Sequence, residues 1–456
     1  MAERECDVVV LGAGPAGEVC AGRLGQSGLE VALVEQHLVG GECSYYACMP
    51  SKALLRPGEL LAEVQRVPGA REAVTGTLDV QATLRRRDGV IHHRDDSTQL
   101  PWLEDRAVEL VRGRGALDGE RRVVVGPDVI TAMRAVVVST GTASAMPPIE
   151  GLAEARPWGS REATTAERAP GRLLVLGGGA VGVELAQAWG SLGSSVALVE
   201  AADRILAPEE PFASAEVTRG LEDTGVEVRV GARAEGASRG ESGQVSLRLA
   251  GGDELRGDEL LVAVGRRPRT DDIGLESVGI DPGGYLATDD QLRVNGRDWL
   301  YAIGDVNGRA QLTHMGKYQA RLAATAILGK QVTAGAESRG SPRVTFSDPQ
   351  VAAVGLTLAK AQERGIDARA VDVKTAGNAG ASFVGRNAPG TSRIVVDEER
   401  KVIVGATFVG PETSDMLHAA TVAVVGEVPL DQLLHAVPSF PTRSEVWLYL
   451  LEEYGL

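Results

Sequence analysis

The chain has 456 residues, a formal net charge of −15 and only four cysteines. That length exceeds one ordinary hydrophobic core, so two to four domains are expected, and 57 glycines suit an α/β enzyme with many tight turns. The acidic balance argues against nucleic acid and anionic membranes, no apolar run is long enough to span a bilayer, and four cysteines make no disulfide framework. Met1-Ala2-Glu3-Arg4-Glu5 runs straight into a strand without an apolar signal segment, so a soluble, cytoplasmic protein is expected.

Asp7-Val8-Val9-Val10-Leu11 reads as a buried parallel strand. It feeds Gly12-Ala13-Gly14-Pro15-Ala16-Gly17, a helical pattern through Leu24, and a second strand, Val31-Ala32-Leu33-Val34, ending on Glu35. A tight glycine turn lets backbone approach a pyrophosphate at a helix N-terminus, and the acid closing the second strand suits a ribose hydroxyl pair. Cys6 in the first strand and Cys20 in the helix read as buried, inert thiols.

Cys43 and Cys48 follow, within Gly40-Gly41-Glu42-Cys43-Ser44-Tyr45-Tyr46-Ala47-Cys48-Met49-Pro50-Ser51-Lys52. Five residues of α-helix rise about 7.5 Å, whereas a disulfide needs Cα atoms within about 7 Å. The chain must therefore bend between them. Pro50 belongs in a first helical turn, which puts Cys48 at a helix N-terminus where the macrodipole favours a thiolate. That is how a redox-active thiol pair would be built.

Further on, Arg85-Arg86-Arg87 reads as a solvated helix face. His92-His93 and Asp95-Asp96 read as a surface loop rather than a metal site. Leu173-Leu174-Val175-Leu176 then enters Gly177-Gly178-Gly179-Ala180-Val181-Gly182, a helix, and Val196-Ala197-Leu198-Val199-Glu200. First glycine to acid is 23 positions in both units, from Gly12 to Glu35 and from Gly177 to Glu200. One fingerprint alone is weak; two with the same spacing and flanks point to two dinucleotide sites.

Two such sites and a dithiol suggest a flavin, a nicotinamide and a disulfide in series. Ser139-Thr140-Gly141-Thr142, Gly265-Arg266-Arg267-Pro268, Tyr301-Ala302-Ile303-Gly304-Asp305, Phe346-Ser347-Asp348-Pro349 and Pro441-Thr442-Arg443-Ser444-Glu445 follow in order. On these markers the whole chain resembles the class I pyridine nucleotide-disulfide oxidoreductases, the family of dihydrolipoamide dehydrogenase, glutathione reductase and mercuric reductase. The resemblance implies two Rossmann-like domains, for FAD and NAD(P), and a C-terminal α+β dimerisation domain. Expected bounds are 1–148 with 272–335 for FAD, 149–271 for the nicotinamide, and 341–456 for dimerisation, after a turn-rich linker at Ala334–Pro342. Apolar helical stretches around His418 and Leu433 belong to that last domain, and a homodimer is implied.

The resemblance assigns FAD to Gly12, Gly14, Gly17, Glu35, Gly115, Thr140, Gly141 and Asp305, with Leu312, Thr313 and His314 beside the isoalloxazine. Lys52 would pair with Glu184 near flavin N5. NAD would meet Gly177, Gly179, Gly182, Glu184, Glu200 and Gly265. Cys48 would be the thiolate next to the flavin, Cys43 the outward, exchanging thiol, and Glu445 a catalytic contribution from the partner subunit. Glu200 disfavours a 2′-phosphate, so NADH is preferred over NADPH, although Arg204 lies close in sequence. No second cysteine pair stands near either end, which argues against the thiol relay of typical mercuric reductases.

The family pattern breaks twice. Members that handle disulfides carry a histidine just before Pro-Thr; here that position is Phe440, and His435 is five residues too early. General acid–base help is commonly worth a factor of about 10²–10⁴. Tyr45 and Tyr46, where small or aliphatic residues around an asparagine are usual, could narrow a channel, stack a planar acceptor or donate a proton; packing is the plainer role for either. The expected activity is electron transfer from NADH through FAD and Cys43–Cys48 to a small disulfide or dithiol. Reduction of a quinone or other soft acceptor is the alternative, and a redox-sensing flavoprotein without turnover the third reading.

Overall fold

The computed structural model describes residues 3–385, 388 and 390–456. Contacts divide the chain into two compact units, one of residues 3–50, 88–145 and 266–338, the other of 51–87, 146–265 and 339–456. The helices that carry the argument are α1 (Pro15–Gln26), α2 (Gly41–Tyr45), α3 (Cys48–Arg66), α4 (Ala180–Ser191) and α5 (Thr313–Ile327).

In the first unit, Val108–Arg112, Val31–Glu35, Glu3–Leu11 and Asp128–Val138 run parallel in that order. Leu300–Ala302 adds in parallel to Asp128–Val138, and Arg122–Val125 with Gly115–Leu117 completes the sheet antiparallel. Val8, Val9 and Val10 are fully buried. The sheet is covered on both faces, which is why its central strand is an unbroken apolar run rather than an alternating one. α1 and α5 pack closely because small residues face each other; a Cβ on Gly316 would stand 3.4 Å from that of Ala16.

The second unit has a parallel sheet in the order Glu227–Arg229, Ser195–Val199, Arg172–Leu176, Glu259–Val262. It adds a three-stranded antiparallel ribbon (234–257) and a five-stranded antiparallel sheet between Arg343 and Gly410. Trp189, fully buried, shares one core with Leu54, Leu55 and Leu84 and with Val351 and Val409.

That core goes with the placement of residues 51–87 in the second unit. Arg87 is only 1% exposed, donating to the carbonyls of Thr164 at 2.6 Å and Ala166 at 3.1 Å, and Arg86 donates to Ala53. Arg87 is thus tied to backbone rather than solvated, whereas Arg85 and Arg86 are exposed as a solvated helix face requires. The expected linker carries a short helix, Gly335–Arg339, whose Glu337 is held by Arg309 and Gln319.

Candidate functional site

The two glycine turns are built alike. Gly12 has φ +100° and Gly177 φ +111°; a Cβ there would strike the carbonyl oxygens of Ser139 and Ala263 at 2.6 and 2.5 Å. A Cβ on Gly17 or Gly182 would lie 1.9 Å from the carbonyl oxygen of Gly12 or Gly177, so only glycine lets each helix start so close to its strand. Gly14 and Gly179 face open space, the cradle a pyrophosphate needs.

The acids match as well. Glu35 accepts from the amides of Ala13 at 2.8 Å and His37 at 2.7 Å; Glu200 accepts from Gly178 at 2.6 Å and Ala202 at 2.7 Å. Each carboxylate clamps its own glycine turn, and each oxygen keeps a lone pair for a ribose hydroxyl. These residues fit two dinucleotides on chemical grounds.

The remaining FAD candidates gather in the first unit. Ser139 Oγ donates to the carbonyls of Leu11 and Gly12, pinning the strand end beside the first turn. Thr140 Oγ1 donates to the Arg269 carbonyl at 2.8 Å, and Thr142 Oγ1 to Asp305 Oδ2 at 2.8 Å. Arg266 Nε donates to Thr142 Oγ1 at 2.6 Å. Gly115 lies on the edge strand that completes the sheet, against Leu11 and Val34. Leu312 caps α5, which opens with Thr313 and the exposed His314.

The dithiol lies at a break between two helices. Cys43 is in α2 and Cys48 opens α3; Tyr46, with φ −136° and ψ −4°, ends the first helix. Pro50 is the third residue of α3, within the first turn. The two thiols are hydrogen-bonded, which pushes Cys43 far above the ordinary thiol range; burial adds to this, and Thr313 and Lys317 oppose it. Cys48 Sγ lies 3.3 Å from Thr313 Oγ1. Burial pushes the other two thiols up, Cys6 to about 11 and Cys20 to about 12, as inert core cysteines require.

Tyr45 is 1% exposed, its hydroxyl has no hydrogen-bond partner among the described residues, and burial raises its pKa to about 12. A ring so enclosed cannot line a channel or donate to an incoming substrate, so packing is its role. Tyr46, edge-on to it at 6.4 Å, is half-buried. Asp96 has a structural task too: its carboxylate accepts from the Val39 amide and from Arg112.

In the second unit Lys52 Nζ donates to Glu184 Oε2 at 2.6 Å, with Glu184 almost fully buried. Lys52 is one helical turn after Cys48 in α3, on the same side of that helix. The other Glu184 oxygen accepts from the Phe346 amide at 3.0 Å, and the Phe346 ring lies 4.7 Å from the Lys52 ammonium. Gln187, three residues along α4, accepts from the Asp348 amide at 2.7 Å. Gly265 has φ +136° and faces open space. Arg204 is spent on its own loop, donating to the carbonyls of Glu209 and Ala207.

Glu445 is buried at 7% exposure and accepts from the Gly380 amide at 3.2 Å. Phe440 is 77% exposed and His435 is exposed, so neither is brought to that carboxylate. Sequence reasoning missed Glu42, Arg269 and Phe346 as site residues. All three adjoin or lie within motifs already singled out, but nothing local shows what they touch.

A family model described as pyridine nucleotide-disulphide oxidoreductase matches residues 6–320, and one for the dimerisation domain of the same family matches 341–450. Dihydrolipoyl dehydrogenase of Thermus scotoductus is 33% identical over 447 residues, covering 96% of this chain and 95% of that one. Mercuric reductase of Staphylococcus aureus is 28% identical over 444 residues, covering 96% and 80%. Among solved structures, the HOCl-induced flavoprotein disulfide reductase RclA of Escherichia coli superposes with a TM-score of 0.86 at 25% identity, over 98% of this chain and 99% of that one.

Proposed function

The chain belongs to the class I pyridine nucleotide-disulfide oxidoreductases and is an FAD-dependent enzyme of that family, and from this premise we propose that it passes electrons from NADH to the Cys43–Cys48 pair and on to a small disulfide. The observation that carries this reading is the pair itself: two thiols hydrogen-bonded across a helix break, with a hydroxyl on Cys48. Bound FAD supplies the hydride-to-dithiol relay. The chain's own residues do the rest. Gly14 and Gly179 leave room for the two pyrophosphates, and Glu35 and Glu200 hold the turns and take the riboses. Lys52, oriented by Glu184, supplies positive charge to the reduced ring. Thr313, whose hydroxyl lies 3.3 Å from the Cys48 sulfur, stabilises the Cys48 thiolate.

The preference for NADH is supported by Glu200, whose carboxylate would meet a 2′-phosphate, and by Arg204, whose guanidinium is taken up by loop carbonyls. A homodimer is supported by the dimerisation-domain match. Among the described residues no helix is long and apolar enough to cross a membrane.

A second reading is favoured by Phe440. With a phenyl ring at the proton-carrying position, a quinone or another soft acceptor that needs no thiol proton shuttle suits the site. RclA has also been solved as a Cu(II) complex.

One experiment separates the readings. Anaerobic NADH titration should produce the long-wavelength thiolate-to-flavin band after two electrons; its absence would show that Cys43 and Cys48 are not a working pair. Cys43→Ser should then abolish turnover with disulfides. Full disulfide turnover by that variant would reject the first reading, and retained quinone turnover alone would establish the second.

A further inference from the structure

Cys43 sits in α2, a helix of five residues capped by Gly40 with no side-chain hydrogen bond. A helix that short has little stability of its own, so its place must be fixed by tertiary contacts. Glu42, the residue before Cys43, provides one: its Oε1 accepts from Arg269 Nη2 at 2.9 Å, with side chains only 21% and 29% exposed.

Arg269 is itself held on several sides. Its amide donates to Gly141 and its Nε to the Thr142 carbonyl, both at 3.0 Å, and its carbonyl accepts from Thr140 Oγ1 at 2.8 Å. Thr142 is tied in turn to Asp305 at 2.8 Å. The guanidinium is therefore a fixed post among the residues that would hold FAD, and Glu42 is a point where α2 is fastened to it. Charge-assisted bonds from an arginine fork are directional as well as strong. The Arg269 fork is shared between Glu42 and Thr142, so rotation of α2 breaks the geometry.

We propose that Arg269 and Glu42 are a positioning pair for Cys43, keeping its sulfur in register with Cys48 so that the disulfide can form and open without rebuilding α2. The inference rests on the reading of Cys43–Cys48 as the redox pair. Opening by glutathione is balanced: enzyme disulfide and two glutathione thiols give the dithiol and one glutathione disulfide, two electrons and two protons moving together. A fastened α2 raises the effective concentration of one thiol at the other and favours the disulfide. Loosening it favours the dithiol.

The test equilibrates the FAD-loaded enzyme with glutathione and its disulfide, and reads the oxidised fraction by alkylation and mass spectrometry, with FAD content checked for each variant. Glu42→Ala should lower the constant for disulfide formation about fivefold, while Glu42→Gln, which keeps an oxygen for Arg269, should stay within about twofold of wild type. Glu42→Lys, facing Arg269 with like charge, should fall furthest. Helix propensity alone predicts the reverse for alanine, the best helix former. An unchanged constant in Glu42→Ala would overturn the inference. If that variant does not fold, Glu42→Asp, too short to reach Arg269, replaces it under the same criterion. A wild type that never forms the Cys43–Cys48 disulfide would sink the redox reading and the inference together. A wild type that forms it, beside variants with the same constant, would sink the inference alone.

Discussion

Lys52 Nζ donates to Glu184 Oε2 at 2.6 Å, and the same ammonium lies 4.7 Å over the ring of Phe346. The amide of Phe346 fixes the other oxygen of Glu184. A residue of the dimerisation domain thus holds both members of the charge pair expected beside the flavin.

Lys52→Met should move the two-electron flavin midpoint to more negative values, because the charge that favours the anionic reduced ring is gone. Phe346→Leu should move it the same way by less. A cation–π contact at a partly exposed site is worth about 0.5–1 kcal/mol, which is about 10–20 mV for two electrons. Phe346→Tyr keeps a ring face and should restore the wild-type value. Potentiometry of the three variants checks the order.

Thr313 lies 3.3 Å from the Cys48 sulfur. A hydrogen bond to a charged acceptor contributes about 1.5–3 kcal/mol, so Thr313→Val should raise the pKa of the thiolate-to-flavin band by about one unit or more. The band followed against pH in the two-electron-reduced enzyme gives the shift directly. An unmoved pKa would remove Thr313 from the site chemistry.

Glu18, in the first turn of α1, is raised from 4.5 to about 7 by burial, with Lys317 opposing and Glu35 reinforcing. A carboxyl whose folded pKa lies above its unfolded one contributes stability that is present below about 4.5 and lost as pH rises through about 7. Glu18→Gln should therefore match wild type near pH 4.5 and be the more stable at pH 8, by up to about 3 kcal/mol. Denaturant midpoints at the two pH values measure the difference.

Glu200 clamps the second glycine turn, and in the proposed NADH site its carboxylate would oppose a 2′-phosphate. Glu200→Ala should raise the NADPH-to-NADH ratio of kcat/KM by about tenfold, since removing one repulsive contact is worth about 1.4 kcal/mol on this scale. The same variant should bind NADH more weakly, because the Gly178 and Ala202 amides lose their acceptor. Steady-state constants for both nucleotides report the two effects separately.

Phe440 is 77% exposed, and Glu445 is committed to the Gly380 amide at 3.2 Å. Phe440→His should improve disulfide turnover, but by less than the full factor of about 10²–10⁴ that a positioned acid–base group supplies, because a side chain at so exposed a position is not held in place by packing. A new ionisation near pH 6–7 in kcat/KM for a disulfide would accompany the gain. No gain and no new ionisation would mean that the loop does not reach the dithiol.

Much of this enzyme is written locally. Each glycine turn needs only its own strand, its own helix and an acid 23 positions on, so both dinucleotide sites are legible from spacing alone. The dithiol is legible for the same reason: helix rise forbids a regular helix from Cys43 to Cys48, and the chain bends at Tyr46 as that rule demands. What the sequence could not fix is which distant groups meet. Glu42 and Arg269 are 227 positions apart, and Glu445 and Gly380 are 65. Arg87 looks like part of a solvated run until Thr164 and Ala166 enclose it, and the sequence leaves several roles open to Tyr45, with packing the plainest, until its neighbours close over it. Turn geometry is set by backbone sterics within a few residues. Burial and hydrogen-bond partnership are set by which faces pack together, and only the tertiary structure decides that.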